Sequence, residues 1–408
     1  MKSRTWATRV LGMDLPRELM PLLGVSLLSS CAFSAFWSFI GIWAIHVLGC
    51  RATTVGVMYA GDSLASALLG YYGGRLSDRL GRRLVITASW AFEALAALVL
   101  VWAGHHVVWG LIWVVVAGAA SGPGLAATGA LVADLSDEED RITHYGAYRV
   151  TTNLGAMAGP VLGGLALLSG HWPVFFGGIA VLGCTAALMA WRWLLPGGAA
   201  QGLNMADRPR HSGLGPLRDG PFLLLLASTF GGFLVYVGFD VMLPIATVQS
   251  YGLAPSTWGF LAVVDPVMVV LWQSRLSGWT SGFQPERLLF FSMSLMGSSF
   301  LILLVWHDVT SILMSLCLFG LGEMVWSPLA QALAARLAQD QGRGAYLGAF
   351  SAAGSSAWVV GPLFDLRLAG FSVNAVWIFL AGSGIVAGSL GWGSVRWGAN
   401  LAERKRRE

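Results

Sequence analysis

Apolar stretches of about twenty residues recur along the whole chain, and they constrain its fold more than any other feature of the sequence. A helix of that length crosses a hydrocarbon layer of about 30 Å. Because lipid offers no partner to backbone polar groups, each stretch is expected to be helical. Hydrophobic residues make up 56% of the 408 residues and charged residues only 11%, a more apolar balance than a soluble core requires.

The stretches predict an all-α membrane protein with twelve transmembrane helices. The predicted spans are 19–46, 54–74, 84–104, 108–133, 145–169, 172–195, 221–248, 255–277, 288–306, 309–335, 345–369 and 372–396. No polar stretch between them is long enough for an aqueous domain.

The distribution of basic residues predicts the orientation of the chain. Nearly all of the 25 Lys and Arg residues fall in the two termini and in every second loop. By the positive-inside rule, both termini and these loops are expected to be cytoplasmic. The chain is therefore expected to be a multi-pass protein of the plasma (cytoplasmic) membrane. Its net charge of +4 reflects this topology, and no nucleic-acid partner is expected.

The chain also repeats itself at about half its length. A shift of 202 or 203 residues aligns Gly56 with Gly259, Asp62 with Asp265, Gly118 with Gly320, and Gly159-Pro160 with Gly361-Pro362. The repeat predicts two pseudo-symmetric six-helix bundles, residues 1–195 and 221–408, joined by a cytoplasmic linker at 196–220. Two such bundles create a cavity near the midplane of the membrane, which rocking exposes to alternate sides.

A short charged segment separates the second and third predicted helices. Residues 74–83 are Gly-Arg-Leu-Ser-Asp-Arg-Leu-Gly-Arg-Arg, and the two glycines are expected to allow a tight turn. The pattern resembles the signature loop of the major facilitator superfamily of transporters and implies the major facilitator fold. The resemblance also implies a conformational latch formed by Gly74, Asp78, Arg79, Gly81, Arg82 and Arg83.

The fifth predicted helix carries a stripe of small residues. Its members are Gly146, Gly155, Gly159, Pro160, Gly163 and Gly164. Three of the glycines recur every four positions, so another helix is expected to approach closely along that face. The whole array resembles the motif of the antiporter branch of the superfamily, the drug:proton exporters. Close packing explains each glycine alone equally well.

Charged residues inside the membrane are costly and are usually functional. The candidates are Asp62, Glu93, Arg149, Asp240, Asp265 and Glu323. The contexts of Asp240 and Glu323 resemble those of multidrug exporters whose acids take part in proton coupling or drug recognition. For Asp240 and Glu323 the alternative is a polar group hydrogen-bonded between helices. Asp265, which precedes Pro266, and similarly Asp62 could instead satisfy backbone groups freed at a kink. Glu93, on a helix often peripheral in this fold, is expected to be structural.

Other polar and aromatic residues are candidates for lining the cavity. They are Arg149, Trp37, Asn153, Trp326 and Trp358. Aromatic walls suit flat, lipophilic or cationic ligands. Arg149 has an alternative: its side chain could extend to the cytoplasmic surface.

These patterns favour a secondary transporter and exclude an enzyme. The sequence contains no nucleotide-binding loop, no metal motif and no nucleophile motif, so no cofactor and no metal are expected. The leading hypothesis is proton-coupled export of lipophilic or cationic small molecules, with protons and the bilayer as partners and a monomer as the working unit. Two alternatives stay open: export of one specific metabolite or lipid-like molecule, and a non-transporting membrane sensor with the same fold.

Overall fold

The structure is a computed structural model that describes residues 15–103, 106–136, 141–194, 218–280, 282–337 and 343–407. The described residues form long helices, with no strand among them. The first six are α1 (Leu19–His46), α2 (Ala52–Leu80), α3 (Arg82–Ala103), α4 (Val107–Asp134), α5 (Arg141–Leu167) and α6 (Trp172–Trp193). Of the predicted linker, 196–217 lies outside the described residues.

The next three helices change along their length. Helix α7 comprises Gly220–Val237, a π-helical turn at Gly238–Met242, and Leu243–Gln249; α8 comprises Pro255–Leu261 and Val264–Thr280; α9 comprises Pro285–Ser298 and a 3₁₀ stretch at Ser299–Leu304. The last three are α10 (Val309–Leu337), α11 (Arg343–Ala369) and α12 (Val373–Arg407).

Eleven of the described helices are long and apolar enough to cross a membrane. The remaining one is α2, which has 29 residues but a more polar sequence, with Asp62 midway and Arg75, Asp78 and Arg79 near its end. The count of apolar spans is therefore one lower than the twelve predicted. The prediction of an all-α membrane protein is confirmed.

Helix contacts divide the chain into two compact units. Unit 1 comprises Met1–Arg51, Gly61–Leu203 and Ala254–Val263, and unit 2 comprises Ala52–Ala60, Asn204–Leu253 and Val264–Glu408. In unit 1, α1 packs on α5 and α6, and α3 packs on α4 and α6. In unit 2, α7 packs on α11 and α12, and α9 packs on α10 and α12. Each unit therefore has the same neighbour scheme, as the internal repeat predicts.

Acidic side chains define the first turns of two helices in unit 2. Asp219 accepts a hydrogen bond from the N–H of Phe222 at 3.2 Å, and Asp308 accepts one from the N–H of Ser311 at 2.8 Å. These bonds satisfy donors that every helix start leaves open. The bonds from Ser311 stabilise the carboxylate of Asp308 and lower its pKa.

The charged segment 74–83 is helical over most of its length, which differs from the tight turn expected from its two glycines. Helix α2 continues to Leu80 and α3 begins at Arg82, so the break is Gly81 alone. Gly81 has a φ of 92°, a conformation that residues with a Cβ rarely adopt. The expectation that Gly74 contributes to a turn is wrong, because it lies inside α2.

We expect Gly81→Ala to destabilise the protein, because a side chain in such a backbone conformation costs about 1–3 kcal/mol. Gly74→Ala is the matched control: an added Cβ there meets nothing within 4 Å, and alanine stabilises a helix interior by about 0.5–1 kcal/mol over glycine. Thermal unfolding of the purified protein in detergent measures both effects. Equal midpoints for the two variants would contradict this account of the break.

Candidate functional site

Three acidic residues and one tyrosine lie close together in unit 2. Tyr236 is on α7, and its phenol is within electrostatic reach of Asp240, Asp265 and Glu323. The two aspartates also interact with each other. These residues come from α7, α8 and α10, so three acids singled out from the sequence lie in one place. We call these four residues the acidic cluster.

Asp240 lies in the π-helical turn of α7. Pro244 follows it by four residues, so the carbonyl of Asp240 lacks the N–H that would bond it in a regular α-helix. The wider turn lies between the two α-helical stretches of α7. Turns of this kind are frequent at functional sites, and the side chain of Asp240 is half-buried.

Asp265 lies just after the interruption of α8. Regular helix stops at Leu261 and resumes at Val264, because Pro266 offers no N–H to the carbonyl four residues before it. The carboxyl group of Asp265 is in the first turn of the second stretch, where the helix dipole favours negative charge. It packs on Gly320 of α10, where an added Cβ would lie 2.7 Å from its Oδ1 atom.

Aromatic rings surround the acidic cluster. The ring of Tyr236 lies 5.6 Å from that of Phe319 and 5.9 Å from that of Phe239, and those two rings stack at 4.2 Å. Trp358 of α11 lies 6.1 Å from Tyr236, and we call these four rings the aromatic wall. Such rings offer stacking surfaces and cation–π contacts beside the carboxyl groups.

Trp326 belongs to the layer behind this aromatic wall. It is 2% exposed, and its ring packs edge-on against Phe233 at 5.1 Å. The sequence predicted Trp326 to line a cavity, whereas this ring is packed inside unit 2. Trp358, predicted for the same role, is half-buried.

Gln273 connects α8 to the proline-containing part of α10. Because Pro328 has no N–H, the carbonyl of Met324 lacks its helical partner. The Nε2 atom of Gln273 donates a hydrogen bond to this carbonyl at 2.8 Å. Met324 follows Glu323 directly, so the bond fixes the backbone next to one acid of the cluster.

The three helices that carry the acids bring no basic side chain to their level. Helix α7 contains none, α8 contains only Arg275, and α10 contains only Arg336. At 1.5 Å per residue, these lie about 15 and 20 Å along the helices from Asp265 and Glu323. Carboxyl groups in such surroundings bind protons or attract cations.

Arg82 is the centre of the polar contacts in the charged segment. Its Nη1 atom lies 2.6 Å from Oδ1 of Asp78, and its Nε atom donates to Oδ2 of Asp134, the last residue of α4, at 3.0 Å. It also donates to the hydroxyl of Ser77. Arg82 therefore joins α2, α3 and α4 within unit 1.

The other arginines of the segment make different contacts. Arg83 lies over the ring of Trp191 on α6, 4.5 Å from its centre, and Arg79 is exposed. Of the predicted latch residues, Asp78 and Arg82 thus form the ion pair, Gly81 provides the break, and Arg83 anchors α3 on α6.

The glycine stripe of α5 packs on α1, as its spacing predicts. A Cβ added to Gly155 would lie 2.5 Å from the carbonyl oxygen of Leu27, and one added to Gly159 would overlap the carbonyl oxygen of Cys31. Farther along, Gly163 meets a ring of α1, that of Phe39.

The residues at the two ends of the glycine stripe do not pack on α1. Gly164 and Pro160 pack on Gly259, in the short first stretch of α8 that belongs to unit 1. In unit 2, Gly56 packs in the same way on the carbonyl of Pro362. A Cβ at Gly146 would meet nothing within 4 Å.

The remaining predicted residues lie in unit 1. Arg149 and Asn153 are exposed on α5, and Trp37 of α1 is 9% exposed and stacks on Phe33 at 5.9 Å. Asp62 is 4% exposed, and a Cβ at Gly118 would overlap its carboxyl group.

Sequence reasoning missed three aromatic members of the site, Tyr236, Phe239 and Phe319, and one further acid. Tyr236 and Phe319 each precede an acid of the cluster by four residues, and this spacing on one helix face was the available signal. Asp365 of α11 is 1% exposed, and neither of its oxygens has a hydrogen-bond partner within the described residues. The sequence signal for Asp365 was a carboxyl group in an otherwise apolar stretch.

Comparisons of the sequence identify related proteins. The family profile described as Major Facilitator Superfamily matches residues 22–362. The chain is 27% identical over 331 residues to the Multidrug resistance protein MdtH of Edwardsiella ictaluri, covering 80% of each chain. It is 27% identical over 333 residues to the protein of the same name from Yersinia enterocolitica, again covering 80% of each.

Comparisons of the fold identify solved transporters. The structure matches a peptide transporter POT in complex with sulfate with a TM-score of 0.77 at 14% identity, covering 91% of this chain and 93% of the other. It matches the nucleoside transporter NupG with a TM-score of 0.77 at 12% identity, covering 93% of this chain and all of the other. At these identities the likeness concerns the fold alone.

We expect Gly159→Ala to destabilise the protein, because the new Cβ would strike backbone atoms of α1 that cannot move aside. Overpacking of this kind costs about 1–3 kcal/mol. Gly146→Ala is the matched control in the same helix, since its added Cβ has free space. The yield of folded protein and its unfolding midpoint measure the difference. If both variants matched the wild type, the stripe would not be a packing surface.

Proposed function

Since this chain belongs to the major facilitator superfamily, we propose that it is a proton-coupled exporter that moves lipophilic or cationic small molecules by alternating access. It is a multi-pass membrane transporter and not an enzyme. The observation that carries the proton coupling and the substrate class is the acidic cluster, which combines three carboxyl groups with aromatic rings.

Proton coupling needs a group that is neutral when protonated and charged when not. Asp240, Asp265 and Glu323 supply such groups on α7, α8 and α10, and two of these helices, α7 and α10, also carry rings of the aromatic wall. A deprotonated cluster attracts a cationic substrate, and protonation releases it. Energy for transport then comes from the proton gradient.

The substrate class is supported by three observations. The rings around Tyr236 suit flat and cationic molecules, and relatives named multidrug resistance proteins have 27% identity. An open pocket of about 270 Å³, lined among others by Phe283, Leu288 and Val325, also lies beside the helix that carries Glu323. In this proposal Arg149, Asn153, Trp37 and Trp358 contribute polar and aromatic surface to the transport path.

The remaining elements fit the same cycle. The contact of Arg82 with Asp78 and Asp134 serves as a latch, and the glycine stripe of α5 provides the smooth surface that antiport requires. We place both termini in the cytoplasm, with bundles at 1–195 and 221–408 joined at 196–220, in the plasma membrane. A monomer contains all of these parts.

Transport in inverted membrane vesicles tests the proposal. A panel of lipophilic cations is supplied outside, and uptake is followed with and without an imposed pH gradient. We expect Asp240→Asn and Glu323→Gln, singly and together, to abolish gradient-driven uptake, because neither amide exchanges a proton at neutral pH. Glu286→Gln, at the start of α9 and outside the cluster, is the control and is expected to transport normally.

Two outcomes would contradict the proposal. Gradient-driven uptake that survives in the double variant would rule out these acids as the coupling groups. Absence of uptake and of substrate counterflow for the whole panel in wild-type vesicles would favour a specific metabolite or a sensor.

A further inference from the structure

Two more buried carboxyl groups lie in unit 1, outside the acidic cluster. Asp62 on α2 and Glu93 on α3 are each 4% exposed, and their charges are close enough to interact. Within the described part of the chain, the Oε2 atom of Glu93 has no hydrogen-bond partner. The pair therefore contains an open polar atom that the packing of the helices does not satisfy.

Both carboxyl groups lie against the same part of α4. Asp62 rests on Gly118, where a side chain would overlap it. On α3, Ser89 packs against Gly124 of α4: a Cβ added to Gly124 would lie 2.8 Å from the Cβ of Ser89. Because α3 and α4 are consecutive and antiparallel, Glu93, one turn beyond Ser89, is level with the segment between Gly118 and Gly124. The two side chains therefore converge on one place.

The same arrangement is repeated in unit 2. Asp265 rests on Gly320 as Asp62 rests on Gly118, and the internal repeat aligns these residues. In unit 2 the interacting second carboxyl group is Asp240 of α7, whereas in unit 1 it comes from α3. Each unit therefore builds a carboxyl pair on the duplicated aspartate, although the second acid has a different origin.

The helices packed around the pair supply no counter-charge at its level. Among titratable residues, α4 carries only Asp134, which binds Arg82, and α6 carries only the exposed Cys184 and, one residue before its end, Arg192.

On the two helices that carry the pair, the nearest titratable group is Tyr59, one turn before Asp62. The others lie at least nine residues away along the helices, which is about 13 Å or more: Tyr71, Tyr72, Arg75, Asp78, Arg79, Arg82 and Arg83.

We propose that Asp62 and Glu93 together bind a single proton, forming a second proton site in unit 1. Two interacting like charges this deeply buried do not both ionise at low cost. One proton on the pair removes one of the two buried charges. The proposal goes beyond the proposed function, because it concerns different residues and holds whatever substance is carried.

The dependence of stability on pH tests the proposal. A folded protein that keeps a proton released by its unfolded chain loses stability as the pH rises through that range. Glu93→Gln and Asp62→Asn each replace one carboxyl group by an amide that carries no charge, so the remaining carboxyl group no longer has a like charge beside it. We expect the unfolding midpoint of each variant to fall less than that of the wild type between mildly acidic and alkaline pH.

Matched variants show whether the effect belongs to the pair. Glu18→Gln, exposed at the start of α1, is expected to follow the wild type. Asp265→Asn alters the pair of unit 2, and its effect is expected to add to that of Glu93→Gln, as for independent sites.

Two results would overturn the proposal. One is an alkaline loss of stability that Glu93→Gln and Asp62→Asn leave unchanged. The other is a rise of the wild-type midpoint when sodium replaces potassium, absent in both variants, which would assign the pair to a metal cation.

A second measurement covers the case in which the amide variants fail to fold. Protonated carboxyl groups have an infrared carbonyl band that carboxylates lack. Glu93→Asp keeps the acid but retracts it from Asp62, so we expect part of this band to disappear at a different pH than in the wild type. An unchanged infrared titration would overturn the shared proton.

Discussion

Close contact between helices at glycine is the interaction on which the rest of this structure depends. Lipid does not drive helices together as water does, so their association relies on packing. At Gly155 and Gly159, α5 lies directly against the backbone of α1, and at Gly118 and Gly320 an aspartate takes the space of a missing side chain. Glycine therefore both joins the helices and creates the places where carboxyl groups are buried.

The two units share one packing scheme and differ in chemistry. Unit 1 contains the contact of Arg82 with Asp78 and Asp134, whereas the corresponding stretch of the second half, near 277–287, lacks the aspartate in its sequence. Unit 2 contains the aromatic wall and the acids around Tyr236. The two units therefore have the same helix packing, but unit 1 carries a surface ion-pair contact and unit 2 has a polar, aromatic interior.

Helix positions, the internal repeat and the family motifs could be predicted from the sequence, because span length and residue spacing are local properties. The neighbours of a side chain could not be predicted, since they depend on how each helix is rotated in its bundle. Trp326, expected to line a cavity, is buried inside unit 2, and Tyr236 lies near three acids from other turns and helices. No turn forms at Gly74, because α2 continues through this residue to Leu80 and is interrupted only at Gly81.

The π-helical turn of α7 has a consequence for how this segment tolerates insertions and deletions. Each residue added to a helix rotates everything beyond it by about 100°, and the wide turn at Gly238–Met242 absorbs a register offset between the two α-helical stretches. Removing one residue in this turn would restore a uniform α-helix with the face of Leu243–Gln249 kept in place, whereas removing one residue elsewhere in α7 would turn that face by about 100°. Length changes in α7 are therefore constrained by orientation rather than by the thickness of the bilayer.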